Sequence, residues 1–214
     1  MVSTQAGQLQ IGSDCGDLRG GDRVSIPAQT SCGHCWMCKQ ELYTQCETTQ
    51  VREKDSGAAL FGFSQLYDSV PGGQAEYLRV PQAQFTHVKL PDGPPDDRCA
   101  YLSDILPTAW QGVVYAGVPD GGTLVVLGLG PVGDLACRIG THMGYRVIGV
   151  DLVEDRLRRV AQQGVEVVDL TALDGTSVGD AIRAMTGGRA PTPCWTASGW
   201  RRTAVRRPRS CRRP

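Results

Sequence analysis

The stretch LVVLGLGPVGDLACRIGTHMGYRVIGVD, residues 124 to 151, decides the fold. Leu124 to Leu127 is an apolar run of strand length, and GLGPVG follows it with Gly128, Gly130 and Gly133 in G-x-G-x-x-G spacing. Pro131 to Met143 has helical periodicity and Val147 to Val150 reads as a second strand. Glycines between a strand and a helix serve three ends. Gly128 permits a tight turn, Gly130 lets backbone approach a pyrophosphate, and Gly133 lets helix and strand pack closely. The helix opening at Pro131 and Val132 offers unpaired N–H groups and a positive dipole end to phosphates. Asp151 ends the second strand, where a carboxylate can accept hydrogen bonds from an adenosine ribose. It also repels a 2′-phosphate, so NAD is favoured, while Arg156 and Arg158 keep NADP open as the alternative.

Outward from that stretch the same alternation continues. Glu154 to Gln163 reads as a charged helix with Leu157 and Val160 inward, Val165 to Val168 as a third strand, and Val178 to Met185 as a further helix. This βαβαβα order predicts an α/β fold with a parallel sheet and right-handed crossovers. Upstream, residues 101 to 118 have helical spacing with Leu106, Trp110, Val113 and Val114 on one face, and Pro107 suits a first turn. Before about Asp97 the chain reads as turns and short strands, including Arg23 to Ile26 and, after a Pro-Gly-Gly turn, Gln74 to Val80.

Within that turn-rich part Cys32, Cys35, Cys38 and Cys46 are spaced C-x2-C-x2-C-x7-C. Four thiolates suit tetrahedral zinc, and a closed four-Cys shell leaves no open position for substrate, so the site is structural. Its binding energy becomes local folding energy for a loop of little apolar content. Unrelated reduced thiols or an iron–sulfur site are the other readings. His34 inside the cluster reads as a solvent-facing spacer, and Cys137 as a small core residue on its helix. Cys15, Cys99, Cys194 and Cys211 lack comparable company.

The 214 residues carry 22 basic and 22 acidic side chains, and the zero net charge is a cancellation. Residues 189 to 214 hold eight arginines and no acid, leaving a body of net −8 and a tail of net +8. The 41% of hydrophobic residues excludes wholesale disorder. No apolar run reaches the roughly 18 residues that cross a bilayer, and the first ten residues have neither the basic nor the apolar region of a signal peptide. The expected location is the cytoplasm, with no membrane partner.

The combination of a four-Cys lobe and a GLGPVG turn resembles the zinc-dependent medium-chain alcohol dehydrogenases. PGGQAEYLRVP (71 to 81) and YLSDILPTAWQ (101 to 111) are similar to the branch that includes glutathione-independent formaldehyde dehydrogenase. The resemblance covers about residues 12 to 188. It implies a partial GroES-like β domain over residues 1 to 97, with the zinc lobe at 32 to 46, and a truncated Rossmann domain over 98 to 188. It also implies zinc and NAD as cofactors, a small alcohol or aldehyde substrate, and homo-oligomers in the family. The structural-zinc ligands map onto Cys32, Cys35, Cys38 and Cys46, and the dinucleotide residues onto Gly128, Gly130, Gly133 and Asp151. Asp104 falls at the position of the third catalytic-zinc ligand, and Thr108 at a Thr beside the nicotinamide. From the residues alone, Ser103 and Asp104 read as an ordinary helix N-cap.

The sequence departs from the family pattern at both ends. The first two catalytic-zinc ligands, a Cys and a His in a Gly-His-Glu step, should precede the lobe, yet the histidines are His34, His87 and His142. Cys15 lies in GSDCGDLRGGDRV, which resembles the segment after that step. At the other end, Pro191 and Pro193 oppose the expected fourth strand. Residues 189 to 214 therefore read as a disordered or out-of-frame tail, and the first ten residues as similar in origin. That reading leaves the first strand of the parallel sheet as a bare edge. The expected protein is a zinc-dependent, NAD-linked alcohol or aldehyde dehydrogenase by family, present as an inactive or impaired fragment. A remnant binding structural zinc and weakly NAD is the alternative. A nucleic-acid binder using the lobe and the Arg-rich tail is disfavoured by the −8 body and the lack of a regular basic face.

Overall fold

The computed structural model describes residues 4–5, 12, 15–188 and 194–196, the strands at 4–5 and 194–196 through their backbone alone. The chain divides into two compact units, Met1–Pro107 and Thr108–Pro214.

The first unit has a small antiparallel sheet of three strands, β1 (Thr4–Gln5), β2 (Val24–Ile26) and β3 (Val88–Lys89). Thr4 lies opposite Ile26 and Val24 opposite Lys89. Its core is Val24, Ile26, Ala59, Phe61 and Val70, with Leu18, Leu78 and Val80 packed against it. Arg23 fastens the chain beyond β3. Its Nε donates to Asp96 at 2.9 Å and its Nη2 to the Pro94 carbonyl at 2.8 Å. Between β2 and β3 runs the cysteine lobe, with the short helix α1 (Trp36–Lys39). A one-turn helix, α2 (Asp96–Cys99), and a 3-10 turn at Ala100–Ser103 lead into α3 (Ile105–Tyr115), and the boundary between the units falls in the first turn of α3.

The second unit is the predicted parallel sheet: β4 (Thr123–Leu127), α4 (Pro131–His142), β5 (Arg146–Asp151), α5 (Glu154–Ala161), β6 (Glu166–Asp169), α6 (Val178–Met185) and β7 (Cys194–Thr196). Local chemistry sets the helix ends. Pro131 occupies the first turn of α4, where its missing N–H costs nothing. α5 opens with Glu154 and Asp155 and closes with Arg158 and Arg159, both matched to the helix dipole. The Ser177 hydroxyl accepts the Asp180 N–H and caps α6. The sheet buries Val125, Ile148, Val150 and Val168 against Ile182 of α6. Each such side chain contributes about 1.5–3 kcal/mol by leaving water. Leu124 and Val126 are buried too, which is why β4 reads as an unbroken apolar run.

Gly140 of α4 marks a close approach of helix and sheet. A Cβ there would stand 2.8 Å from Leu124 Cδ2 and 3.0 Å from Val147 Cγ2, both in the buried sheet. Gly140→Val is expected to destabilise the unit by about 1–3 kcal/mol, because overpacking displaces rigid neighbours. Urea denaturation checks this through a lower midpoint at constant slope, and an unchanged midpoint would remove Gly140 from the packing argument.

Four expectations need correction. The sheet order is β6-β5-β4-β7, so β4 is central, and Val125, Val126 and Leu127 pair in parallel with Cys194, Trp195 and Thr196. A tail without a strand is thus wrong at 194–196. Three residues are too few to display a period, and what selects them is the open edge of β4. The other residues of 189–214 lie outside the described ones. Likewise Thr4–Gln5 pairs with β2, so these two residues contribute to the fold, and the rest of the first ten lie outside the described residues. Gln74 to Val80 is no strand: Leu78 and Val80 pack on the core, but among the described residues no ladder pairs with that segment. In α3 the fully buried side chains are Ala109 and Val113, whereas Trp110 and Val114 stay about half exposed, at 49% and 47%. The buried stripe of α3 thus runs through Ala109 and Val113, one position away from Trp110 and Val114.

Candidate functional site

Two arrangements hold chemistry. In the lobe the sulfurs of Cys32, Cys35, Cys38 and Cys46 all lie within 4.8 Å of one another. Cys32 and Cys38 are 4.0 Å apart at Sγ, as are Cys35 and Cys46. A tetrahedron with Zn–S bonds of about 2.3 Å has edges of about 3.8 Å, so the cage is zinc-sized. Cys32, Cys38 and Cys46 are buried and Cys35 is half-buried. The backbone builds this geometry. Cys35 caps α1 by accepting the Cys38 N–H, and Gly33 takes φ +78° directly over the Phe85 ring, which a Cβ would meet at 2.4 Å. Phe85 in turn meets Tyr43 in a tilted ring contact, centroids 5.4 Å apart, and Tyr43 packs against the cluster. His34 is exposed, with Nδ1 3.0 Å from the Cys32 carbonyl.

Donors around the sulfurs favour their ionised form unequally. Burial works to push the Cys32 thiol up, but the Thr48 hydroxyl at 3.2 Å and the N–H groups of His34 and Cys35 outweigh it and bring Cys32 down to about 6. Burial also opposes ionisation of Cys46, and bonds from Thr49 and from the Cys32 N–H lower it. Cys38 is pushed up to about 12 by burial, with the neighbouring sulfurs of Cys35 and Cys46 adding to the rise. The surroundings thus favour the thiolate at Cys32 and Cys46 and oppose it at Cys38. Thr48 is a residue the spacing of the cysteines did not reveal.

The second arrangement is the glycine turn. Gly128, at φ +91°, donates its N–H to Val150 O at 2.8 Å. Leu129 is fully buried and donates its N–H to Asp151 Oδ2 at 2.6 Å. Gly130 precedes α4 with φ −65° and ψ −172°, and no atom lies within 4 Å of where its Cβ would stand, which leaves room for a ligand's phosphates against the backbone. No side chain caps α4, so the N–H groups of Val132 and Gly133 remain for a ligand. Gly133 is buried within α4. Asp151 closes β5 and is 5% exposed. Its Oδ1 accepts the N–H groups of Leu152 and Val153 at 2.7 and 2.9 Å, and Arg156 Nη1 is 3.5 Å from Oδ2. Burial would raise its pKa, but the three N–H donors and Arg156 together hold it below the usual value. The carboxylate is therefore charged at neutral pH and braces the turn.

Asp104 is half-buried immediately before α3, and Thr108 is exposed in its first turn. Among the described residues the four-Cys cage is the one group of three or more metal-capable side chains within mutual reach, and Asp104 belongs to none. Buried Cys137 sits on α4, and burial pushes its thiol up to about 12, as suits an inert core residue. No helix among the described residues is long and apolar enough to cross a membrane.

Residues 6–92 match the alcohol dehydrogenase GroES-like domain. An uncharacterized zinc-type alcohol dehydrogenase-like protein, AdhB of Bacillus subtilis (strain 168), is 40% identical over 185 residues, 85% of this chain and 48% of that protein. A glutathione-independent formaldehyde dehydrogenase of Pseudomonas aeruginosa (strain LESB58) is 38% identical over 84% of this chain and 45% of its own length. Among solved structures, the alcohol dehydrogenase TADH from Thermus sp. ATN1 superposes with a TM-score of 0.78 at 28% identity, covering 91% of this chain and 53% of that one. The chain spans about half the length of the curated relatives it matches. Residues 6–92 thus carry the GroES-like domain of alcohol dehydrogenases, and in sequence and fold the chain is similar to zinc-type alcohol dehydrogenases and glutathione-independent formaldehyde dehydrogenases, with a zinc-sized thiolate cage in its first unit.

Proposed function

We propose that this chain holds a structural zinc in its first unit and NAD on its second, as the cofactor-holding part of a dehydrogenase that moves hydride between a small alcohol or aldehyde and NAD. The observation that carries the reading is the open space over Gly130 at the start of an uncapped helix, beside a charged Asp151. In it the first unit serves as the GroES-like domain and the second as the nucleotide domain. Gly128 and Gly130 bring backbone to the pyrophosphate, the α4 N–H groups bind its oxygens, and Asp151 faces the ribose. NAD, when bound, supplies the hydride acceptor. The charge on Asp151 opposes a 2′-phosphate, which favours NAD over NADP. Thr108 is assigned to the nicotinamide side, and Asp104 to the third position of a catalytic zinc.

The described residues do not fit that second zinc. Among the described residues Asp104 belongs to no group of three or more metal-capable side chains, and fewer than three protein ligands make a poor zinc site. No step of the reaction is therefore routed through it. The 214-residue chain is expected to bind one zinc and to quench or shift NADH fluorescence. It is expected to form no NADH from simple alcohols or formaldehyde. Metal analysis with an NADH titration tests this directly. Two zincs per chain with turnover would establish a working enzyme, and no NADH binding would sink the nucleotide assignment.

A further inference from the structure

We propose that Arg159 of α5 is a positioning residue for the phosphate-facing turn, acting through the backbone carbonyl of Leu129. The inference rests on the reading of that turn as a dinucleotide site. The Leu129 carbonyl accepts from Arg159 Nη2 at 3.2 Å, while the N–H of the same residue donates to Asp151 Oδ2 at 2.6 Å. Charged side chains of opposite sign thus hold the two peptide groups that flank Leu129. In a planar trans peptide the carbonyl and the following N–H point in opposite directions. Fixing the Leu129 carbonyl toward Arg159 therefore fixes the Gly130 N–H on the other side. Gly130 cannot set that orientation itself, since it has no Cβ and nothing packs where one would be. The Leu129 side chain gives a fixed pivot: it is fully buried beneath Gly149, where a Cβ would come within 3.0 Å of it.

Arg159 is held in turn by α4. Its Nε is 3.6 Å from Asp134 Oδ1, and Asp134, in the first turn of α4, also accepts Gln163 Nε2 at 2.9 Å and Arg138 Nε at 3.1 Å. Gln163 Nε2 donates as well to the Arg159 carbonyl at 3.2 Å. One network therefore ties the orientation of the turn to the first turn of the helix, so that both sets of phosphate-facing N–H groups move as a unit. Arg159 itself is 48% exposed, which limits the size of its effect.

The test compares the full chain with Arg159→Ala and Arg159→Lys, using NADH and, as a ligand without phosphates, adenosine. Arg159→Ala should weaken NADH binding about five- to tenfold, the effect of one half-exposed charged hydrogen bond. Adenosine affinity and the urea midpoint should stay unchanged, and amide exchange over residues 128 to 133 should quicken in the free protein. Arg159→Lys keeps the charge without the planar fork and should fall between. If Arg159→Ala does not fold, the Lys variant carries the same comparison. Unchanged NADH affinity, an equal loss for adenosine, or unchanged amide exchange would each overturn the assignment. Failure of the unsubstituted chain to bind NADH at all would instead refute the dinucleotide reading, and amide exchange would still decide whether Arg159 holds the turn.

Discussion

Cys46→Ser empties the zinc site and unfolds the lobe around it. Cys46 is fully buried, and its sulfur lies 4.0 Å from Cys35 Sγ and accepts the Cys32 N–H, so no other side chain can take its place. A serine hydroxyl is a poor zinc ligand at neutral pH. Changes beyond the ligands of a zinc already cost about ten- to a hundredfold in affinity, so loss of a ligand should exceed a hundredfold. Structural zinc is worth about 10–16 kcal/mol in small zinc domains, far more than the lobe's few apolar contacts supply. The expected result is a fall from one zinc per chain to a trace after dialysis, with loss of protection across residues 30 to 60 in amide exchange. Cys15→Ser, outside the cage, should keep its zinc and serves as the control. Full zinc content in Cys46→Ser would mean that the metal is held elsewhere. The unsubstituted lobe should also release its metal on acidification, because protons compete with the metal for the sulfurs.

Asp151→Asn is the second large effect, and it acts on stability and binding together. The carboxylate accepts three backbone N–H groups through its two oxygens, at 2.6 to 2.9 Å. An amide of the same shape must turn an NH2 toward one of those donors. Either the Leu129 N–H or the pair at Leu152 and Val153 then lies unsatisfied. The expected cost is about 2–4 kcal/mol, with NADH affinity reduced beyond detection because the turn loses its brace. The pH dependence follows from the lowered pKa of Asp151. Its contribution is fully present above the ordinary carboxylate value of 3.8 and is lost as pH falls through the lower value of the folded state. Urea midpoints measured from pH 7 downward should therefore show a steeper acid decline in the original chain than in Asp151→Asn. Parallel declines would show that Asp151 is not the group responsible.

What could be read from the residues was local. The glycine spacing, the apolar run before it and the acid after β5 lie within 28 residues, and each has a backbone reason to be where it is. The cysteine spacing is equally compact, because α1 brings Cys35 and Cys38 to one side of a single turn. Three kinds of feature escaped. β7 is too short for a pattern and is chosen by its partner. Gln74 to Val80 alternates because Leu78 and Val80 face the core, which does not require a ladder. Thr48 and Arg159 act on a sulfur and a carbonyl 16 and 30 residues away, and such reach leaves no mark in a sequence pattern. The buried face of α3 belongs here too, since a helical period predicts a stripe but not which of two neighbouring stripes is buried.

The parallel pairing of β7 with β4 also orders the assembly of the second unit. β4, β5 and β6 join through single crossover helices, each closing a short loop, whereas β7 can reach β4 only after the whole run from Val125 to Cys194 has been made. Closure of the longer loop costs more entropy and is returned by three residue pairs, so β7 docks late and leaves first. In a doubly wound sheet, the crevice at which dinucleotides bind opens where the strand order reverses, here between β4 and β7. A ligand seated there would hold closed the seam with the fewest residue pairs in the sheet, and would slow its opening as occupancy rises.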